Sequence, residues 1–111
     1  VADTAAEADE RMLPQARMMA RLRGGRPLIA LETVEQARDA EASDHLAAPL
    51  IDALRRRWFV GAAAEQRDRL ASFALAHDVD EIMVSPVAGA YDGEAMEAAT
   101  GRVRTLELLA A

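Results

Sequence analysis

Two short apolar segments separated by one amphipathic helix form the most regular pattern in the chain. Residues 58–60 and 81–84 are largely apolar, and the residues between them repeat apolar positions at helical spacing. Strands of a parallel sheet that is covered on both faces lose the polar alternation of half-exposed strands. The pattern therefore predicts a βαβ unit, in which a helix connects two neighbouring parallel strands. The helix would turn inward Gln66, Leu70, Phe73, Ala74 and His77.

The N-terminal part of the chain predicts a long helix. Thr4 and Glu7 have the spacing of a capping box, and two glycines and a proline follow Arg23. We expect a helix that ends near Arg23. Because Pro14 lacks a backbone N–H donor, the helix should bend near Glu10 or divide into two helices that meet at an angle. The buried stripe would consist of Met12, Ala16, Met19, Ala20 and the stem of Arg23.

Residues 24–57 are less regular than the segments on either side. Thr33 and Gln36 have capping-box spacing, which predicts a short helix. Pro49 suits the first position of a second short helix that ends at Arg57. We interpret this region as an irregular excursion between two regular units.

A closing helix is expected after a loop at residues 85–92, with Asp92 as a candidate cap. Gly101 lies inside this helix at a cost of about 1 kcal/mol relative to alanine, so it marks either a break or a tight contact. The packed side would contain Val103, Leu106 and Ala110.

The order of these elements predicts an α/β fold. Residues 1–2 resemble the end of a strand, so the chain would contain two or three short parallel strands followed by helices. This alternation is typical of an open doubly wound sheet or of a closed TIM barrel. A closed barrel needs about 250 residues, so 111 residues would be its last two or three units. Residues 1–111 would then be a single partial domain, and we expect further chain before Val1.

Composition narrows the classes of partner and compartment. The net charge of −6 disfavours a nucleic-acid surface, because affinity for nucleic acid depends on cation density. No apolar stretch approaches the length of about 20 residues that crosses a bilayer, so we expect no membrane partner. Cysteine is absent, which suits a reducing cytoplasm. All 13 basic residues are arginine, a bias typical of a GC-rich bacterial genome.

Four segments, in order, resemble one enzyme family. The opening ADTAAEADERMLPQARMMARLRGGRP, the central WFVGAAAEQRDRLASFA, the segment HDVDEIMV and the closing GRVRTLELLA are similar to the C-terminal region of the bacterial luciferase-like monooxygenases. These are flavin-dependent enzymes built on a TIM barrel. The chain departs from the family at residues 62–64, where three alanines replace a capping residue and a proline, and in the longer loop at 85–100. The resemblance implies the C-terminal part of a TIM (β/α)8 barrel.

The resemblance also implies a function. Such an enzyme binds reduced FMN or a related flavin, which reacts with oxygen, and the resulting flavin hydroperoxide oxidises a small-molecule substrate. The flavin contacts and catalytic residues of the family lie mostly in earlier strands, so they transfer to no residue here. We therefore expect this segment to be inactive and flavin-free alone, and to work with the remainder of the barrel in a cytoplasmic enzyme that is often a homo-oligomer. The choice between FMN and a deazaflavin stays open.

Two residues are weak candidates for cofactor binding. Ser85 follows the last predicted strand, at the end where barrel enzymes place their sites, although an ordinary strand exit explains it equally well. Gly61 and the amides after it could bind an anion at a helix start, although a turn is the simpler explanation. His45 and His77 lack the spacing of metal ligands, so no metal site is predicted.

A second hypothesis comes from a different class. The chain could be a stand-alone, mainly helical dimerisation or interaction module without flavin. In either case, exposed edges of the two predicted strands would favour self-association or pairing with another polypeptide.

Overall fold

Helices dominate the computed structural model, which describes residues 1–44 and 47–111. Within that part of the chain, 62% of residues are helical and 2% are in strand pairing. A short 3₁₀ turn covers Met96–Ala98. The five α-helices are α1 (Ala5–Arg23), α2 (Val34–Ser43), α3 (Ala48–Arg57), α4 (Ala63–His77) and α5 (Thr100–Ala110). None of these helices is both long and apolar enough to cross a membrane.

The predicted helix starts and stops in the first half are confirmed. The Thr4 hydroxyl accepts a hydrogen bond from the Glu7 amide at 3.1 Å. Thr33 and Gln36 form a reciprocal capping box at the start of α2. Gly24 ends α1, and Gly25 follows in the left-handed region at φ 67°, where glycine is favoured.

The core lies where α1 packs against α3. Met12 and Ala16 of α1 meet Ile51 and Leu54 of α3, and all four are at most 3% exposed. Trp58 packs against this cluster. The helix α2 covers another part of α1 with two buried residues, Val34 and Ala37.

The predicted α/β class is wrong, and so is the predicted part of a TIM barrel with parallel strands. Neither residues 58–60 nor residues 81–84 form a strand, and the described residues contain no sheet. One isolated parallel bridge joins Ala2 to Ala62, and the Ala2 amide donates to the carbonyl of Gly61 at 3.3 Å.

The reason is that a parallel strand is stabilised by its neighbours rather than by its own sequence. Parallel pairs are stable when several strands lie side by side with both faces covered. Three short segments cannot supply that arrangement, so residues 81–91 run without helix, turn or bend and without a paired strand. An apolar segment bounded by polar residues is therefore not sufficient to define a strand.

Three helix faces also differ from prediction. In α4, Gln66 is buried as predicted, but Phe73 and His77 are exposed. In α1, Arg11 and Arg17 are buried, whereas Arg23 is exposed. The helix continues unbroken through Pro14. In α5, the buried residues are Gly101 and Thr105, while Val103 and Leu106 are nearly half exposed. The helical pattern of a sequence shows only which positions share a face, whereas the face that is buried depends on parts of the chain that lie far away in sequence.

Candidate functional site

An apolar cavity of about 520 Å³ lies beside α1 and two segments that have no regular structure. Met12, Gln15 and Met19 line it from α1, and residues 58–60 and 82–88 line it from the two segments that were predicted as strands. Its volume is in the range of small-molecule sites. Polar groups in the lining are few: Arg11, Gln15, Arg57, Ser85 and Thr105.

The first segment is positioned by the end of α3. The Trp58 amide donates to the Leu54 carbonyl at 2.8 Å, and Trp58 then turns into an extended conformation. Its indole packs on the α1–α3 core, which directs Phe59 and Val60 along the cavity. The position of this segment is therefore set by the end of α3 and by the packing of one large aromatic side chain.

The second segment is fixed to α1 at Gly89. The Gly89 amide donates to the Arg11 carbonyl at 2.7 Å. A side chain at position 89 would lie 2.7 Å from Cγ of Pro14, so only glycine allows this contact. Pro14 thus has a packing role: its ring meets the loop backbone beside the place where the helix lacks one N–H donor.

Arg11 joins α1 to both the loop and α5. Its guanidinium donates to both carboxylate oxygens of Glu94 at 2.8 and 3.0 Å, to Glu7 at 2.8 Å and to the Gly89 carbonyl at 2.8 Å. The hydrogen bonds to Glu94 are the largest cause of its raised pKa. In turn, Arg11 holds the pKa of Glu94 below its usual range. A Cβ on Gly101 would lie 2.8 Å from the Arg11 guanidinium, which confirms the predicted tight contact.

Tyr91 extends this cluster. The Arg11 guanidinium lies 4.5 Å from the centre of its ring, and its hydroxyl donates to Glu10 at 2.5 Å. Burial, followed by the hydrogen bond to the Glu10 carboxylate, raises the pKa of Tyr91 to about 12. The phenol is therefore a fixed hydrogen-bond donor at neutral pH and not a general base.

Gly61 allows the turn that leads into α4. Its φ of 152° is a conformation that side chains rarely adopt, and a Cβ there would lie 2.5 Å from Nε2 of Gln66. The helix begins at Ala63, and its N-cap residue, Ala62, provides no side-chain hydrogen bond, as the three alanines imply. Glu65 occupies the first turn, and its carboxylate would lie 3.2 Å from the same Cβ.

Gln66 is a polar side chain at this turn, and the sequence patterns gave it no functional role. It is fully buried, and its Oε1 accepts from Arg69 at 2.9 Å. Its Nε2 has no hydrogen-bond partner among the described residues. Glu65, beside Gly61, supplies negative charge here, which disfavours an anion at the same helix start.

Ser85 and Gly61 are not brought together in one site. Ser85 lines the cavity and is exposed, and its hydroxyl has no hydrogen-bond partner in the described chain. Gly61 is buried and is not among the described residues that line the cavity. The cavity therefore includes the first candidate and excludes the second.

His77 is the histidine that the structure describes, and its surroundings are those of a helix end. His77 ends α4, where its Nδ1 lies 2.9 Å from the Phe73 carbonyl and its ring stacks on Phe73. His45 lies outside the described residues. Across residues 1–44 and 47–111, no group of three His, Cys, Asp or Glu side chains could hold a metal ion.

The arginines at the end of α3 have different surroundings. Arg55 pairs with Asp9 of α1 and with Asp52, whereas Arg56 and Arg57 are exposed. Arg57 reaches the cavity rim from a helix C-terminus, where the backbone presents carbonyl oxygens. That end of a helix is unfavourable for a bound anion.

Sequence reasoning missed the Arg11 cluster because its members are far apart. Glu94 lies 83 positions from Arg11, so no local spacing relates them.

Comparison with known proteins found no match to this chain among protein-family models, curated proteins or solved structures.

Proposed function

We propose that this chain is the C-terminal segment of a flavin-dependent, luciferase-like monooxygenase and is inactive alone. The observation that supports this proposal most is the cavity, because two segments of the family resemblance line it from separate parts of the chain, at residues 58–60 and 82–84. Their apolar lining suits a water-poor compartment next to a reactive intermediate. The absence of cysteine suits a cytoplasmic enzyme.

The described residues do not form a flavin phosphate site. The buried cation at the cavity, Arg11, is already bonded to Glu94 and Glu7. Arg57 lies at a helix C-terminus, and Glu65 occupies the first turn of α4. We therefore assign FMN, or a related flavin, to residues outside this chain. The contribution of this chain would be an apolar wall with one hydroxyl, Ser85, for the substrate.

Flavin titration of the longest native polypeptide that contains this sequence tests the proposal. FMN fluorescence should be quenched at one flavin per chain, with a reduced deazaflavin as a second probe. The 111-residue chain alone should leave FMN fluorescence unchanged. If the longest polypeptide binds neither flavin, the proposal is wrong.

A second candidate function is a flavin-free interaction or dimerisation module. The observation that favours it is the apolar surface outside the core, where Leu75 is 83% and Met83 is 92% exposed. Sedimentation of the 111-residue chain over a range of concentrations separates self-association from a monomer. A homo-oligomer formed without flavin would favour this candidate over the oxidoreductase.

A further inference from the structure

Residues 80–88 have no backbone partner. Between the Val79 amide, which donates to Ala74, and the Gly89 amide, which donates to Arg11, no residue forms a backbone hydrogen bond within the described chain. The segment contains no bend from residue 81 onward. Pro86 has no N–H, and it favours an extended conformation for Ser85 before it. Residues 81–85, here named the open edge, therefore present free donors and acceptors along an unbent backbone.

The three central side chains of the open edge, Ile82, Met83 and Val84, are apolar and lie between Glu81 and Ser85. Met83 is 92% exposed and Val84 is 38% exposed, while Ile82 lies partly buried on the cavity. Successive residues of an extended chain point to opposite sides. An extended segment that is apolar on both sides is typical of a strand with neighbours and a cover. An exposed edge of this kind is a template for another strand.

The charges before and at the start of the open edge indicate the chemistry of its partner. Asp78, Asp80 and Glu81 are exposed and form no ion pair with other described residues. A second copy of the chain would bring the same carboxylates and another net charge of −6. A neutral or basic strand is therefore the better partner, because opposite charges favour encounter and register.

A contact of the strand type exists within the chain. Ala2 and Ala62 form a parallel bridge, and the amide of Ala2 donates to the Gly61 carbonyl. This bridge involves residues 1–2, which were predicted as the end of a strand. The open edge has no comparable contact with another part of the described chain.

We propose that the open edge accepts an extended apolar strand with a basic flank from a separate polypeptide, through backbone hydrogen bonds. Addition of a strand to an exposed edge gains affinity from main-chain bonds and selectivity from alternate side chains. The proposal is independent of flavin binding, so either result of the flavin titration leaves it to be tested separately.

The test uses a fluorescein-labelled synthetic peptide, two lysines followed by three Val-Thr repeats, and fluorescence anisotropy with the unaltered 111-residue chain. The matched control is the same peptide methylated on alternate backbone nitrogens, which removes donors but keeps the side chains. Loss of two or three hydrogen bonds should weaken binding by about tenfold or more. A peptide with two glutamates in place of the lysines should also bind more weakly.

Substitutions in the chain locate the contact. Met83→Pro and Val84→Pro each remove one amide donor, and because alternate amides face opposite sides, one of the two should abolish binding. Met83→Ala and Val84→Ala keep the donors and should bind within about threefold of the unaltered chain. Far-UV circular dichroism checks that the helices persist in the proline variants. The comparison with the methylated peptide uses the unaltered chain, so it does not depend on whether these variants fold.

Three outcomes would overturn the proposal. Equal binding of both peptides would mean apolar adsorption without strand pairing. No binding of either peptide would mean that the edge accepts no such strand. A dimer of the 111-residue chain that dissociates with Met83→Pro or Val84→Pro would identify a second copy as the occupant.

Discussion

The half of the molecule formed by α1, α2 and α3 differs sharply from the half formed by α4, residues 79–88 and α5. In the first, named here the packed half, the core side chains are at most 3% exposed. In the second, the open half, Gln66 is the one buried residue of α4, and Phe73 remains 43% exposed. The apolar residues of α4 and α5 are also less confined to one face of the helix than those of α1, α2 and α3. Burial therefore depends both on a defined apolar face and on an available partner surface.

Arg17 and Arg104 show how the burial of an ion pair differs between the halves. Arg17, buried in the packed half, donates to Glu32 at 2.9 Å and to Glu41 at 2.6 Å. Burial by itself lowers the pKa of Arg17, but the hydrogen bonds and charges of the two glutamates outweigh it and raise that pKa. In the open half, Arg104 pairs with Asp3 and Glu107 at the exposed surface. Exposed pairs contribute little to stability because water screens them.

Arg11 is the link between the halves, and its removal should have the largest effect. Arg11→Ala leaves Glu94 and the Gly89 carbonyl without their partner in a buried place. We expect the free energy of unfolding to fall by about 3–5 kcal/mol. Urea titration measures the loss, and Arg104→Ala is the matched control, whose midpoint should stay unchanged. Similar midpoints for the two variants would show that Arg11 does not connect the halves.

A pair of leucine truncations compares the halves directly. Leu54→Ala opens a cavity in the packed core and should cost about 2–5 kcal/mol. Leu75→Ala removes a side chain that is 83% exposed and should change stability by about 0.5 kcal/mol or less. A large loss from Leu75→Ala would mean that α4 is covered in solution, for example by another copy of the chain.

The start of α4 offers a gain in stability. Ala62 occupies the cap position in an extended conformation, with no side-chain hydrogen bond to the helix. Ala62→Ser supplies an acceptor for an unpaired amide, and we expect a gain of about 1 kcal/mol. Thermal unfolding measures it, with Ala62→Val as a control of similar size that cannot cap. If serine gives no gain in stability over valine, Ala62 is not the N-cap residue of α4.

The smallest effect at neutral pH concerns Tyr91, the single tyrosine. Its absorbance should titrate near pH 12 in the folded chain and near pH 10 in urea. Because the folded pKa is the higher one, the hydrogen bond of the neutral phenol contributes fully below pH 10, and this stability is lost as pH rises towards 12. Glu10→Gln should lower the folded value, since it removes the carboxylate that accepts from the phenol. A folded value near 10 would contradict the contact.

Local sequence chemistry predicted the helix ends well. Thr4, Thr33, Gly24 and Pro49 act within one turn of their own position, so their effects do not depend on the rest of the fold. The α/β prediction failed because strand pairing is decided by neighbours. At the cavity, sequence reasoning predicted Ser85 but not Arg11, because a buried arginine is specified by distant partners such as Glu94.

Residue-resolved amide hydrogen exchange of the 111-residue chain tests the division into a packed and an open half most directly. Amides within α1 and α3 should exchange only through global unfolding, whereas those of α4 should exchange at least about tenfold faster through local opening. Residues 81–85 should show no protection, because their amides have no partner in the described chain. Equal protection of α4 and α1, or slow exchange at 81–85, would contradict the division.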